Sequence, residues 1–135
     1  MEKCFGAGIG GLIAARNLAE HYDRVTILER DVLPGQALPR KGIPHGRHAH
    51  GLLARGREAL EDMFPGLTDE LLEAGAVPID TLADSRWFSH GVYFANASSS
   101  LRSILLSRPL LETHVRCDSW RTGVSSFAKA RRCRS

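Results

Sequence analysis

The residues best placed to do chemistry form a glycine-rich segment near the first residue of the chain. Residues 6–11 read Gly-Ala-Gly-Ile-Gly-Gly and match the pattern GxGxxG. Gly6 would let the chain turn sharply, Gly8 would let a pyrophosphate approach the backbone, and Gly11 would let a helix pack closely on a sheet. Gly10 lies in the same loop. Because the N-terminus of that helix offers unpaired N–H groups and a positive dipole end, the pattern predicts a dinucleotide site.

An acidic residue at a suitable distance supports the same interpretation. Glu29 follows Gly11 by 18 positions and ends an apolar run over residues 25–28. A carboxylate in this place can accept hydrogen bonds from a ribose hydroxyl, and we count Arg30, the next residue, with the same site. A glycine-rich turn before an ordinary helix is the alternative. The strand that ends in an acid is an independent match, and it favours the nucleotide site.

The spacing of apolar residues indicates the elements around the motif. Apolar side chains recur at steps of three and four over residues 12–22, which predicts a helix. The run over 25–28 is typical of a buried parallel strand. Residues 2–5 precede Gly6, and two of these four are charged. The first strand is therefore expected to be a poor centre for a parallel sheet.

Helical and strand-like patterns alternate along the rest of the chain. A loop rich in proline and glycine follows Glu29 and carries basic residues at Arg40, Lys41 and Arg47. The patterns predict helices over about 47–64, 68–72 and 107–116, and short strands over 77–80, 86–89 and 92–95. Capping and turn residues are predicted at Thr68, Gly75, His90, Gly91 and Ser107.

Composition and charge exclude several other classes. The chain has 135 residues, 43% of them hydrophobic and 24% charged, which is ordinary for a globular domain. The net charge of +3 comes from residues 117–135, which carry +4, so we expect no nucleic-acid partner. No apolar run approaches the roughly 18 residues of a membrane span. Three cysteines without a CxxC spacing favour a reducing, cytoplasmic location.

Three segments in this order resemble the FAD-dependent oxidoreductases of the aromatic-hydroxylase and epoxidase type. They are residues 6–30, 45–53 and 107–112, and the likeness covers about residues 3–116. The resemblance implies that the first β-α-β unit holds the ADP half of FAD. It also implies that Arg47 and Arg108 approach the ribose, the pyrophosphate or the flavin. In such enzymes the flavin is reduced by NAD(P)H and then forms a hydroperoxide with oxygen, which oxidises a small organic substrate.

Other candidate sites carry less weight. His45, His48 and His50 could suggest zinc, but they lie in one segment without a clear fourth ligand or an HExxH pattern, so we expect no metal. They fit better as residues on the flavin side of the site. Trp87, Phe88, Tyr93 and Phe94 could face a substrate, but aromatic residues in strands are more often core. No nucleophile arrangement can be argued, and the catalytic residues stay unknown.

We therefore predict an α/β fold: a Rossmann-type FAD/NAD(P)-binding unit with an incomplete β-rich extension on the substrate side. Residues 1–116 would form this partial domain, and residues 117–135 would be a disordered tail. The resemblance stops before the later flavin motifs of the family. We therefore expect an N-terminal fragment or truncated product, inactive alone and open to a complementing chain. There are two alternatives. One is a fragment of an NAD-dependent dehydrogenase, in which Glu29 would favour NAD over NADP as the cofactor. The other is a non-catalytic nucleotide-binding remnant.

Overall fold

The computed structural model describes residues 2–41, 43–121 and 126–129. The elements, in chain order, are β1 (Glu2–Phe5), α1 (Ile9–Ala19), β2 (Val25–Glu29), a 3-10 helix (Pro44–Arg47), β3 (Ala49–Leu52), α2 (Ala54–Met63), α3 (Leu67–Glu73), β4 (Val77–Asp80), β5 (Phe88–Ser89), β6 (Val92–Tyr93), β7 (Arg102–Ser107), α4 (Arg108–Arg121) and β8 (Ser126–Lys129). The chain divides into two compact units. The first combines Met1–His48 with Arg108–Ser135, and the second is Ala49–Ser107.

The first unit contains a parallel sheet in the order β1-β2-β8. β2 lies in the middle, with Val25, Ile27 and Glu29 buried on alternate positions. Among the described strands, the charged strand β1 pairs with β2 alone, so it is not the centre of this sheet. The helix α1 packs against both strands and against α4, and its Leu12 is fully buried. The predicted β-α-β unit is therefore confirmed.

The predicted helix around the glycine motif differs from α1 in its extent. α1 spans Ile9–Ala19 and ends at its C-cap, Glu20. Tyr22, expected on the apolar face, lies beyond the helix and is exposed. The helix therefore covers only the part of the periodic stretch that can pack on the sheet.

The prediction of disorder over residues 117–135 is wrong where the structure describes that segment. Residues 117–121 continue α4 beyond the predicted end at residue 116. Residues 126–129 form β8, which pairs with β2 in the register Ile27↔Phe127. β8 forms because it pairs with β2, a strand about a hundred residues earlier in the sequence. No local pattern reveals such a distant pairing. Residues 122–125 and 130–135 lie outside the described part of the chain.

The second unit contains an antiparallel sheet in the order β3-β7-β4, with β7 in the centre. Its core is formed by side chains of α2 and its C-cap, of α3 and of β7, namely Leu60, Phe64, Leu67, Leu71, Ile104 and Leu106. The predicted helix over 47–64 is wrong in its first part, because residues 49–52 pair with β7 instead. The remaining part is α2. β7 itself was not predicted, although two of its apolar residues are buried.

The ends of α3 show how local chemistry sets a helix. Gly66, with φ of 91°, is the N-cap in place of the predicted Thr68. The carboxylate of Glu61 accepts hydrogen bonds from the backbone N–H of Gly66 at 2.6 Å and of Thr68 at 2.8 Å. Gly75 has φ of 98° just after the helix, as the predicted C-terminal glycine requires.

The hairpin β5–β6 forms where the turn residues predict it. His90 and Gly91 both have positive φ, 51° and 84°, as a type I′ turn requires. The rings of Phe88 and Tyr93 pair with their centroids 5.0 Å apart. Trp87, Phe88, Tyr93 and Phe94 are all more than half exposed. The prediction that these aromatic side chains belong to the core is therefore wrong.

The predicted N-cap Ser107 is the last residue of β7, and α4 begins directly after it at Arg108. No helix among the described residues is long and apolar enough to cross a membrane.

Candidate functional site

The glycine loop joins β1 to α1 with the backbone that its sequence predicts. Gly6 has φ of 84°, a conformation that other residues rarely adopt. Gly8 is extended and is the N-cap of α1, whose first turn carries no acidic residue. The carbonyl of Gly8 accepts the first helical hydrogen bond from Leu12 at 3.0 Å, so the N–H groups of the residues between them have no partner within the helix. The loop therefore offers backbone donors at a positive helix end.

Glu29 connects the end of β2 to this loop. Its side chain is 9% exposed, and one carboxylate oxygen, Oε2, accepts a hydrogen bond from the N–H of Ala7 at 2.7 Å. The other, Oε1, accepts from the N–H groups of Arg30 and Asp31 at 2.7 and 3.0 Å. The acid and the glycine loop predicted from sequence are therefore in direct contact.

The electrostatics of Glu29 follow from these contacts. Burial alone would raise the pKa of Glu29, because it disfavours the charged form. Hydrogen bonds from the backbone of Asp31 and Ala7 and from Arg40 outweigh this effect and lower the pKa to about 2. Glu29 is therefore a charged acceptor at neutral pH.

Arg40 is a member of the site that the sequence analysis did not assign to it. Its side chain is 8% exposed and lies among three carboxylates. Nη1 is 2.9 Å from Oε2 of Glu29 and 3.7 Å from Asp31, and Nε is 3.4 Å from Oε2 of Glu112. In the sequence, Arg40 is one of several basic residues in a loop rich in proline and glycine. No pattern in that loop indicates a contact with Glu112, 72 residues away.

Two side chains of α4, Arg108 and Glu112, also lie beside the glycine loop. Nε of Arg108 donates to Oε1 of Glu112 at 3.0 Å, one helical turn along α4. Glu112 is buried, and its Oε1 is 4.0 Å from the point where a Cβ on Gly8 would lie. Arg108, predicted to contact a cofactor, is therefore held by an acid beside the glycine loop. Glu112 itself was missed, although its i, i+4 spacing from Arg108 is a usable signal.

The other predicted site residues are more exposed. Arg30 has a side chain 61% exposed, with Asp31 3.9 Å away. Arg47 is exposed at the end of the 3-10 helix and lines a cavity of about 470 Å³ with Arg40 and Lys41. Within the described part of the chain, a Cβ on Gly10 would meet no atom within 4 Å.

The histidine segment spans more than one element. His45 lies in the 3-10 helix, and His50 lies in β3 of the second unit. Across residues 2–41, 43–121 and 126–129, no group of three or more His, Cys, Asp or Glu side chains could hold a metal ion.

Comparison with known proteins identifies the fold. No family model matches the chain. Protein Rv3254 of Mycobacterium tuberculosis is 36% identical over 115 residues, which are 82% of this chain and 24% of that protein. A 2-methyl-3-hydroxypyridine-5-carboxylic acid oxygenase mutant superposes with a TM-score of 0.65 at 20% identity, covering 95% of this chain and 30% of its own. The flavin-dependent monooxygenase PieE, in complex with FAD and substrate, gives a TM-score of 0.61 at 22% identity, with 95% and 23% covered.

The chain has the fold of the FAD-binding flavoproteins. The predicted α/β class is confirmed, and so is the resemblance to flavin-dependent monooxygenases at the level of the fold. The chain spans about a quarter of the length of the mycobacterial relative and up to 30% of these structural neighbours. This flavoprotein fold accommodates the glycine loop, Glu29 and the start of α4 in one unit.

Proposed function

We propose that this chain binds the ADP moiety of FAD on the glycine loop, as part of an FAD-dependent oxidoreductase of the monooxygenase or epoxidase type. The observation that carries the proposal is the direct hydrogen bond from Ala7 in the loop to the carboxylate of Glu29. It supports a ribose acceptor placed beside a pyrophosphate-binding loop. The residues that would hold the cofactor are Gly6, Gly8, Gly10, Gly11, Glu29, Arg30, Arg47 and Arg108.

The chemistry of these residues fits a dinucleotide. No atom of the described residues lies within 4 Å of a Cβ built on Gly6 or Gly10, which supports an open loop surface at these two positions. The N-terminus of α1 and the cations Lys41 and Arg47 at the neighbouring cavity would compensate the negative charge of the phosphates. Glu29 would orient the adenosine ribose, and its charge would disfavour a 2′-phosphate.

The flavin would supply the redox chemistry when bound, with NAD(P)H as the reductant and a small organic compound as the substrate. The residues of this chain would bind and orient the adenosine end. The coverage of 24–30% of the relatives supports a fragment of a longer flavoprotein. The exposed aromatic hairpin would then be covered by the rest of that fold, in the same polypeptide or in a complementing chain. The cysteine pattern supports a cytoplasmic location.

The test is a titration of the 135-residue chain with FAD, followed by flavin fluorescence, with ADP and NAD as competitors. We expect FAD to bind, ADP to displace it, and Gly8→Leu to abolish binding because a bulky side chain would fill the pyrophosphate position. Gly35→Leu is the control for the same substitution, since Gly35 lies in an exposed loop and no described atom lies within 4 Å of a Cβ added there.

Equal FAD affinity in the wild type and in folded Gly8→Leu would contradict the proposal. Tight binding of NAD with no FAD binding would instead support the dehydrogenase alternative, for which the charge of Glu29 is the favouring observation.

A further inference from the structure

The hydrogen bonds on Glu29 leave no room for a further donor. Its two carboxylate oxygens accept four hydrogen bonds, and a carboxylate offers about four acceptor positions. Three of the donors are backbone N–H groups fixed by the fold, from Ala7, Arg30 and Asp31. The fourth is the guanidinium of Arg40. A ribose hydroxyl that is to donate to Glu29 must therefore replace Arg40, the one donor that can rotate away.

The position of Arg40 shows where its charge could go. Its Nη2 is 3.9 Å from the point where a Cβ on Gly8 would lie, so the guanidinium already borders the glycine loop. Nε and Nη2 each lie 3.4 Å from Oε2 of Glu112, and this longer pair would keep the side chain beside the loop after it leaves Glu29. A pyrophosphate on the loop would lie next to this cation.

We propose that Arg40 exchanges partners when a dinucleotide binds, releasing Glu29 to a ribose hydroxyl and pairing with the pyrophosphate while Glu112 holds it at the loop. This inference rests on the proposed function and adds to it a residue that contacts the phosphates. Arg40 thus blocks the ribose acceptor in the free protein and strengthens binding of ligands that carry phosphate. Adenosine must displace Arg40 and gains no phosphate contact in return, whereas ADP gains that contact.

The experiment compares adenosine and ADP as ligands of the full chain, titrated against ¹⁵N-labelled protein. Arg40→Met should weaken ADP binding roughly tenfold to a hundredfold, because a charge-assisted hydrogen bond is lost. The same variant should bind adenosine as well as the wild type or better, because Glu29 no longer has a competing donor. Arg24→Met removes a charge from an exposed residue and should change neither affinity.

If Arg40 has only a structural role, Arg40→Met should lose affinity for adenosine and for ADP by the same factor, and that result would overturn the proposal. Unchanged affinity of Arg40→Met for ADP would overturn it as well. If wild-type protein binds neither ligand, the proposed function fails together with this inference. If Arg40→Met does not fold, the wild type carries the test: the Nε–H resonance of Arg40 should shift on addition of ADP, and a fixed resonance would overturn the exchange. Arg40→Lys, which keeps the charge, should retain part of the preference for ADP.

Discussion

Glu29 links structure and binding at the scale of single residues. Its carboxylate joins the end of β2 to the glycine loop and is the proposed acceptor for a ribose. Arg40 and Glu112 place opposite charges around that carboxylate and beside Gly8. The loop is thus held in shape by groups that the ligand would also use, so ligand affinity and protein stability depend on the same contacts.

The low pKa of Glu29 predicts how stability depends on pH. Its pKa falls from an ordinary 4.5 to about 2 in the folded chain, so the charged form is favoured by folding. This contribution is complete above about pH 4.5 and is lost as the pH falls toward 2. Glu29→Gln should lower the free energy of unfolding by roughly 3 kcal/mol at pH 7, and the difference from wild type should close toward pH 2.

Urea denaturation at several pH values checks this prediction. Glu20→Gln is the control, because Glu20 is an exposed acid paired with Arg16 at 2.8 Å and should contribute little. A difference between wild type and Glu29→Gln that stays constant from pH 7 to pH 2.5 would count against the account.

The residues of the site differ in how far sequence could find them. Gly6, Gly8 and Glu29 follow the spacing of a dinucleotide motif, so their placement before α1 and at the end of β2 could be predicted. Arg40 and Glu112 could not, because their contact joins positions 72 residues apart. Their roles arise from the packing of a loop against α4, which leaves no periodic signal in either segment.

The helices and strands also differ in whether local sequence predicts them. α1, β2 and the hairpin have local signals: a helical period, a β-branched run and turn residues with positive φ. β3, β7 and β8 were missed because each depends on a distant partner strand. β8 is the most consequential of these, because it gives β2 a second parallel neighbour and so supports the strand that carries Glu29.

Removal of β8 is therefore expected to destabilise the first unit. A chain that ends after Arg121 should lose on the order of 2 kcal/mol and show faster amide exchange in β2, because the ladder with residues 126–129 is gone. A chain that ends after Lys129 keeps β8 and should match the full chain. Amide exchange measured by NMR on the three proteins decides the point, and equal protection of β2 in all three would show that β8 contributes nothing.

At the scale of the whole molecule, the proposed adenosine site lies in a chain much shorter than the flavoproteins whose fold it shares. The chain spans up to 30% of the structural neighbours given above, and the flavin ring must be enclosed for its chemistry to be productive. We therefore expect purified residues 1–135, supplied with FAD and NAD(P)H, to show no substrate-stimulated oxygen consumption. An oxygen electrode measures this directly. Substrate-stimulated turnover by this chain alone would contradict the fragment proposal.

The most direct test of the central claim is an NMR map of the ADP site on ¹⁵N-labelled residues 1–135. We expect ADP to shift the resonances of a connected set of backbone amides in the first unit, at Ala7, Gly8, Gly11 and Arg30, which border the proposed pyrophosphate and ribose positions. The amide resonances of the second unit, such as those of the β5–β6 hairpin, should not shift. Shifts confined to the second unit, or no shifts at millimolar ADP, would contradict the assignment of the glycine loop as a nucleotide site.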